Sequence, residues 1–244
     1  MNKWYEADLA FIHDVGHCNF ALSAAPGILK ALRAARINDG MVVDLGCGSG
    51  IWASQLVAAG YDVIGIDISE AMLEIAQQRS PQSEFRLESI FKAKIPRCSA
   101  VTALGECFNY LFDSRNTATN QSELFGRIFR ALRPGGLFVC DIAEPGQVAP
   151  DTVSKGFSQG GDWFVAVEKQ EDQHTQILAR RIVSFRKVNE MYRRAEEIHH
   201  QRLYKASEFA ERLRQAGFSV RIKRSYGDYA LMPKHAAFFA RKEN

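Results

Sequence analysis

The sequence predicts an α/β protein: a parallel sheet covered by helices on both faces, interrupted late in the chain by a small antiparallel sheet. Three observations predict it. Short apolar runs alternate with helical stripes between residues 26 and 142, the rhythm of strand–helix crossover units. A glycine-rich turn, Gly46-Cys47-Gly48-Ser49-Gly50, joins the first of these strands to its helix. After Pro145 the apolar period changes from helical to alternating, as in Trp163, Val165 and Val167.

The elements follow in order. The first 25 residues hold Trp4, Tyr5, Phe11, His13 and His17 without a clean period. Pro26 opens a helix to about Arg36, with Ile28, Leu29, Leu32 and Ala35 on one face, because proline suits a first turn. Residues 41–45 form a buried strand and 51–59 a helix stopped by Gly60. The second strand is 62–66, after which Ser69 caps a helix running through Arg79. Strands three and four are 85–87 and 100–104. Leu124, Phe125, Ile128, Phe129 and Leu132 make a helical stripe that Arg133-Pro134-Gly135-Gly136 ends, and 137–142 is strand five. Between 161 and 204, turns at Asp172-Gln173-His174 and Asn189-Glu190 divide the alternating region into three antiparallel strands. Ser207 caps a helix bearing Phe209, Leu213 and Ala216, stopped by Gly217, and strands at 219–224 and 236–240 close the chain.

Composition excludes several classes. With 244 residues, 46% hydrophobic and 24% charged, the chain is long enough for one large core and resembles neither a disordered nor a fibrous sequence. A net charge of +3 does not by itself point to nucleic acid. No apolar run approaches the ~18 residues of a membrane span, and the first residues lack a signal peptide's apolar segment. Cys18, Cys47, Cys98, Cys107 and Cys140 are odd in number and form no CxxC pair, the usage of a reducing cytoplasm.

The glycine turn leaves a buried strand and enters a helix, where unpaired N–H groups and absent side chains let a ligand lie against the backbone. Asp67 stands 21 residues beyond Gly46, at the end of the second strand, where a carboxylate accepts hydrogen bonds from both hydroxyls of a ribose. A bound adenosine-type nucleotide follows. A dinucleotide fingerprint would place a third glycine where this chain has Ile51, which speaks against an NAD-dependent oxidoreductase.

Val43-Asp44-Leu45-Gly46-Cys47-Gly48-Ser49-Gly50 resembles the first motif of class I S-adenosylmethionine-dependent methyltransferases. Gly65-Ile66-Asp67-Ile68-Ser69 resembles the second, and Leu132-Arg133-Pro134-Gly135-Gly136-Leu137-Phe138 the loop before the fifth strand. The resemblance implies a doubly wound, seven-stranded, Rossmann-like sheet whose last strand is antiparallel, and it points to the small-molecule branch of the family. It implies that Asp44 lies near the cofactor's amino end, with Gly46, Gly48 and Gly50 in the loop beside its methionine portion. Asp67 takes the ribose, while Ile68 and Met72 pack on the adenine. The family often has an acidic residue after strand three; here Ser89 or a backbone group of Ser89-Ile90, or else Glu88, stands in its place.

Methyl transfer is an in-line displacement in which alignment supplies much of the acceleration, so no base is indispensable. The candidates follow strand four. Gly105 lines the cofactor, and Glu106 contacts its ammonium, orients an amine, or sits in a solvated loop. Asn109 and Tyr110 face a substrate or belong to the core. His13 and His17 have helical i, i+4 spacing without a third ligand, so no metal is expected; His17 touches substrate, moves a proton, or packs in a lid. Residues 180–224 hold thirteen Lys or Arg against five Asp or Glu, read first as solvated surface, next as a site for an anionic substrate, and last as nucleic-acid binding. His199 and His200 are read as part of the same surface.

The organisation expected is therefore an N-terminal lid and helix (1–36), a cofactor-binding core (37–144 and 205–244), and an insert (145–204) that contributes to the substrate pocket. A protein of this fold that binds S-adenosylmethionine or S-adenosylhomocysteine without transferring the methyl group is the alternative from another class.

Overall fold

The computed structural model describes residues 4–243. Two helices precede the sheet, where the sequence shows no period before Pro26: α1 (Ala7–Gly16) and α2 (Asn19–Ala34). The buried face of α1 is only Leu9, Ala10 and Ile12, too narrow to mark a stripe. Pro26 stands inside α2 rather than opening it. Its missing N–H leaves the carbonyl of Leu22, an exposed residue, without its intrahelical partner.

The crossover units then follow in register with the sequence: β1 (Gly40–Leu45), α3 (Ile51–Ala58), β2 (Tyr61–Asp67), α4 (Glu70–Arg79), β3 (Glu84–Leu87), β4 (Cys98–Ala103), α5 (Ala118–Ala131) and β5 (Leu132–Ala143). The Ser69 hydroxyl accepts from Met72 N at 3.2 Å, the cap that opens α4.

The insert has four strands, not three: β6 (Ser154–Gln159), β7 (Trp163–Asp172), β8 (Ile177–Val188) and β9 (Met191–Arg202), all antiparallel in chain order. The unforeseen strand, β6, is exposed along nearly its whole length, so no buried alternation marks it. The two expected turns are present, and Asn189 takes the left-handed φ of +56° that the tight β8–β9 turn needs.

The chain closes with α6 (Ala206–Gln215), β10 (Ser219–Lys223), the short pair β11 (Ser225–Tyr226) and β12 (Tyr229–Ala230), and β13 (His235–Arg241). Ser207 lies within α6 and does not cap it. Glu144, from the end of β5, accepts from Ala206 N at 3.1 Å and serves that helix end instead.

Seven strands form one sheet in the order β10-β13-β5-β4-β1-β2-β3, with β13 antiparallel to both neighbours. Strand parity sorts the core into two layers. Val42, Val63 and Val139 pack against α2 and α3, while Val43, Leu45 and Phe138 pack against α5 and α6. Phe125 and Phe209 meet at 5.4 Å between ring centres on the second face, each fully buried and worth roughly 1.5–3 kcal/mol. The strand order reverses between β1 and β4, which leaves a crevice at their carboxyl ends, the place where such sheets bind ligands.

Asn109 staples the insert to that crevice. Its Nδ2 donates to Ala143 O and Arg202 O at 2.9 and 2.7 Å, and its Oδ1 accepts from Ala143 N at 3.0 Å. With every polar atom engaged by backbone, Asn109 is part of the framework and does not face a substrate. No helix of the described residues is long and apolar enough to cross a membrane.

Candidate active site

The glycine loop is held from below by β2: Gly46 N and Cys47 N both donate to Ile66 O, at 2.7 and 3.1 Å. A side chain at Gly46 would strike Cys107 Sγ, 2.5 Å away. Gly48 has a left-handed φ of +53°, and a Cβ there would meet nothing within 4 Å, so its face is open. Its N–H donates to Asp67 Oδ2 at 2.8 Å, and Ser69 N donates to Asp67 Oδ1 at 2.9 Å. The carboxylate at the end of β2 is thus fixed between the loop and the start of α4. Burial raises its pKa against these N–H bonds.

Asp44 ends a buried relay. Trp52 Nε1 donates to Thr102 Oγ1, which donates to Asp44 Oδ1 at 2.7 Å. Burial pushes the Asp44 carboxyl up to about 7 against the Thr102 bond, and Asp67 adds to the rise.

A cavity of ≈ 630 Å³ opens over the crevice. Asp44, Gly46, Gly48 and Asp67 line one end, flanked by Ile68, Met72, Ser89 and Ile90. Gly105, Glu106, Tyr110 and His17 line the remainder. Two expectations change. Gly50 is not in the lining: it begins α3 with φ +74°, and its Cβ would press on Ala76 at 2.9 Å, so it serves helix packing. Glu88 is also absent from the wall, which leaves Ser89 as the polar residue there.

Glu106 is not in a solvated loop. The Asp141 carboxylate accepts from Gly105 N, from Glu106 N at 2.7 Å and from the Tyr226 hydroxyl at 2.7 Å, and so pins the turn after β4. His235 Nε2 lies 2.7 Å from Glu106 Oε1, and Gln201 Nε2 donates to Oε2 at 2.9 Å. His235 Nδ1 faces Pro233 O at 2.9 Å, so both ring nitrogens meet acceptors and the imidazolium form is favoured. Burial alone would raise the Glu106 pKa, but the His235 bond and charge, then Arg180 and Gln201, bring it down to about 2. Burial lowers the His235 pKa, and Glu106 more than offsets this and raises it. Asp141, Gln201 and His235 come from β5, β9 and β13, and no spacing in the sequence announces them.

The opposite wall joins α1 to the insert. Leu9 and Ile12 pack on Val165 and Ile182 in a small cluster of their own. Tyr5 N donates to Glu197 Oε2 at 2.9 Å, and the Ser69 hydroxyl donates to Tyr5 O at 3.1 Å. His199 is not surface: it is fully buried, with Nε2 at 2.7 Å from Glu197 and its ring against Trp4, Tyr5 and Phe112. Much of the basic stretch is paired at the surface, as Arg181 with Glu196, and Arg186 and Arg193 with Asp8. Arg180 instead lines the cavity, and its Nη1 donates to the Tyr110 hydroxyl at 3.1 Å. Burial, His17 and Arg180 lower the His13 pKa to about 4, and burial also lowers that of His17. The His13 and His17 rings lie 6.0 Å apart, and no group of three metal-ligating side chains occurs among the described residues.

Residues 42–136 match the family model described as a methyltransferase domain. The Bacillus subtilis protein YqeM, assigned as a methyltransferase, is 28% identical over 200 residues, 78% of either chain. A S-adenosylmethionine-dependent methyltransferase from Clostridium acetobutylicum shares the fold with a TM-score of 0.81 at 18% identity, over 96% of this chain and 98% of that one. CalS10 with bound S-adenosylmethionine, an amino pentose methyltransferase from Micromonospora echinaspora, does so at 0.77 and 17% identity, over 99% of both chains.

Proposed function

We propose, from the premise that this chain is a class I S-adenosylmethionine-dependent methyltransferase, that it methylates a nitrogen or oxygen of a small molecule inside the cavity above β1 and β4. The observation that carries the reading is continuity. One cavity runs from the glycine loop and Asp67 to Glu106 and Tyr110, so two ligands can meet within it. The residues suit an adenosyl cofactor. Gly48 leaves its face open, and each Asp67 oxygen accepts only one of the N–H bonds from Gly48 and Ser69, keeping a lone pair for a ribose hydroxyl.

S-Adenosylmethionine, when bound, supplies a methyl group on a positively charged sulfur, and S-adenosylhomocysteine is the product. Asp67 holds the ribose. Gly46 and Gly48 let the methionine portion lie on the backbone, with Asp44 and Gly105 near its amino end. Ile68, Met72, Ser89 and Ile90 surround the adenine. Glu106, with its pKa near 2, is a fixed negative charge rather than a base and orients a cationic or amine group. Tyr110 is a hydroxyl donor whose pKa burial raises. The His17 imidazole is the group placed to take a substrate proton, whereas His13, lowered to about 4 by burial, is too weak a base for it. The rest of the acceleration comes from alignment, which supplies on the order of 7–11 kcal/mol for a well-oriented pair.

The N-terminal helices act as the lid, and the insert supplies one wall of the substrate pocket. The acceptor is a small molecule held within that cavity, not a nucleic acid. The enzyme works in the cytoplasm, where its five cysteine thiols stay reduced. Titration calorimetry with S-adenosylhomocysteine tests the reading. Wild type should bind, and Asp67→Ala should lose at least about tenfold, because hydrogen bonds to a charged group are the strong ones. Unchanged affinity would defeat the assignment.

A further inference from the structure

Strand alternation gives two neighbouring arginines of β8 different fates. Arg181 points to solvent and pairs with Glu168 and Glu196. Arg180 turns into the cavity. Among the described residues it forms no ion pair; its Nη1 donates to Tyr110, and its Nε is buried with no hydrogen-bond partner. A charged guanidinium with part of its fork unsatisfied inside a protein is costly unless a ligand completes it. The Tyr5 hydroxyl lies 3.3 Å from that of Tyr110, so the fork and two phenols converge on one spot. Around them Leu9, Val165, Val167, Ile182 and Phe112 make an apolar wall.

We propose that Arg180, together with the Tyr110 and Tyr5 hydroxyls, binds a carboxylate on the methyl-accepting substrate, a small organic acid with an apolar or aromatic body. The proposal rests on the methyltransferase reading above. A planar fork matches two coplanar oxygens. Phosphate sites draw instead on free backbone N–H groups at helix starts and nests, and here the wall is a strand whose backbone is paired on both sides. Burial keeps both phenols protonated and able to donate. Lys169, the cross-strand partner of Arg180, adds positive charge to the same face. The carboxylate is not the cofactor's own. Arg180 bonds Tyr110 beside Tyr5, against the wall that the insert and α1 make, whereas Asp67 is bonded to the glycine loop and Ser69 at the nucleotide end.

The test uses the full chain saturated with S-adenosylhomocysteine and titrated with phenylacetate, phenylacetamide and phenyl phosphate. Phenylacetate should bind at least about tenfold tighter than its amide, the scale of a charge-assisted hydrogen bond, and tighter than the phosphate. Arg180→Gln should erase the preference for the acid while S-adenosylhomocysteine affinity stays at the wild-type level. Should that variant fail to fold, Arg180→Lys decides, with the preference falling severalfold because the fork is lost, and Tyr110→Phe should weaken it in the same direction. Equal binding of acid and amide, a preference that survives Arg180→Gln, or tighter binding of phenyl phosphate overturns the proposal. So does a loss of S-adenosylhomocysteine affinity in Arg180→Gln with methylthioadenosine binding unchanged, since the carboxylate would then belong to the cofactor. Wild-type protein that binds no S-adenosylhomocysteine overturns the methyltransferase reading instead.

Discussion

Asp44 and Glu106 respond to pH with opposite signs, and His235 follows the sign of Asp44. The Asp44 carboxyl is raised by burial to about 7 from the usual 3.8, so the native protein holds a proton that the unfolded chain has released. Its contribution to stability is whole below the unfolded value and is lost as pH rises through about 7. Melting temperature of the free protein should therefore fall between about pH 4 and about pH 7, and Asp44→Asn should flatten that fall. Affinity for S-adenosylhomocysteine should rise over the same interval, because the cofactor's positive amino end prefers the ionised carboxylate. In the pair, Glu106 is depressed from 4.5 to about 2, so its contribution is lost as pH drops toward that value. His235 is raised above 6.5, and its contribution is lost as pH climbs through the folded value. His235→Gln should thus lower the melting temperature most between about pH 4.5 and about pH 6.5, as scanning across pH would register. A difference that grows above that window would mean the histidine is neutral. The glycine loop and Asp67 were legible in the sequence because a turn and its acidic partner sit at fixed spacing on successive strands. His235, Asp141 and Arg180 reach the cavity from separate strands, and only the folded sheet brings them together.

Elements were legible where their buried faces are broad. The stripe of α5 and the apolar runs of β1 and β4 face a core on one or both sides, so periodicity alone marks them. Strand β6 has almost no buried residue, and α1 has three, so neither stands out from a loop. The end of α6 was misread because its partner, Glu144, lies 62 residues upstream. Helix α2 begins at Asn19, ahead of Pro26, which sits on its exposed face. At Gly27, the next residue, an added Cβ would lie 2.2 Å from Tyr226 O and 2.6 Å from Gly227 N, so helix α2 rests its backbone on the β11–β12 turn. Helix propensity favours alanine at such a position by about 1 kcal/mol. Overpacking costs typically 1–3 kcal/mol, and here backbone atoms would have to give way. Gly27→Ala should therefore lower the melting temperature on balance. A rise would show that propensity outweighs the contact.

Across the whole molecule, residues 4–16 connect the insert, the cavity and the nucleotide end of the core. Leu9 and Ile12 bury against Val165 and Ile182, separately from the two layers that sandwich the main sheet. Asp14 holds Arg79 of α4 through two hydrogen bonds, at 2.6 and 2.9 Å, and Asp8 pairs with Arg186 and Arg193 of the insert. The proposed lid role fits this placement, since residues 4–16 border the cavity and belong to neither main core layer. Deleting residues 1–16 removes the buried Leu9, Ala10 and Ile12, of which Leu9 and Ile12 are worth roughly 1.5–3 kcal/mol each, along with partly exposed ion pairs that add little. A loss of that size lowers the melting temperature of a chain this long by on the order of ten degrees, short of unfolding the sheet. Circular dichroism should accordingly retain the helices and strands of the core. Affinity for S-adenosylhomocysteine should fall, because Tyr5 and His13 line the cavity and Tyr5 O accepts the Ser69 hydroxyl at the start of α4. Methyl transfer should fall further than affinity, since closure over the cavity also excludes water and completes the Tyr5–Tyr110–Arg180 corner. Global unfolding of the truncated chain would make α1 part of the core, and undiminished binding with undiminished turnover would mean that it closes over nothing.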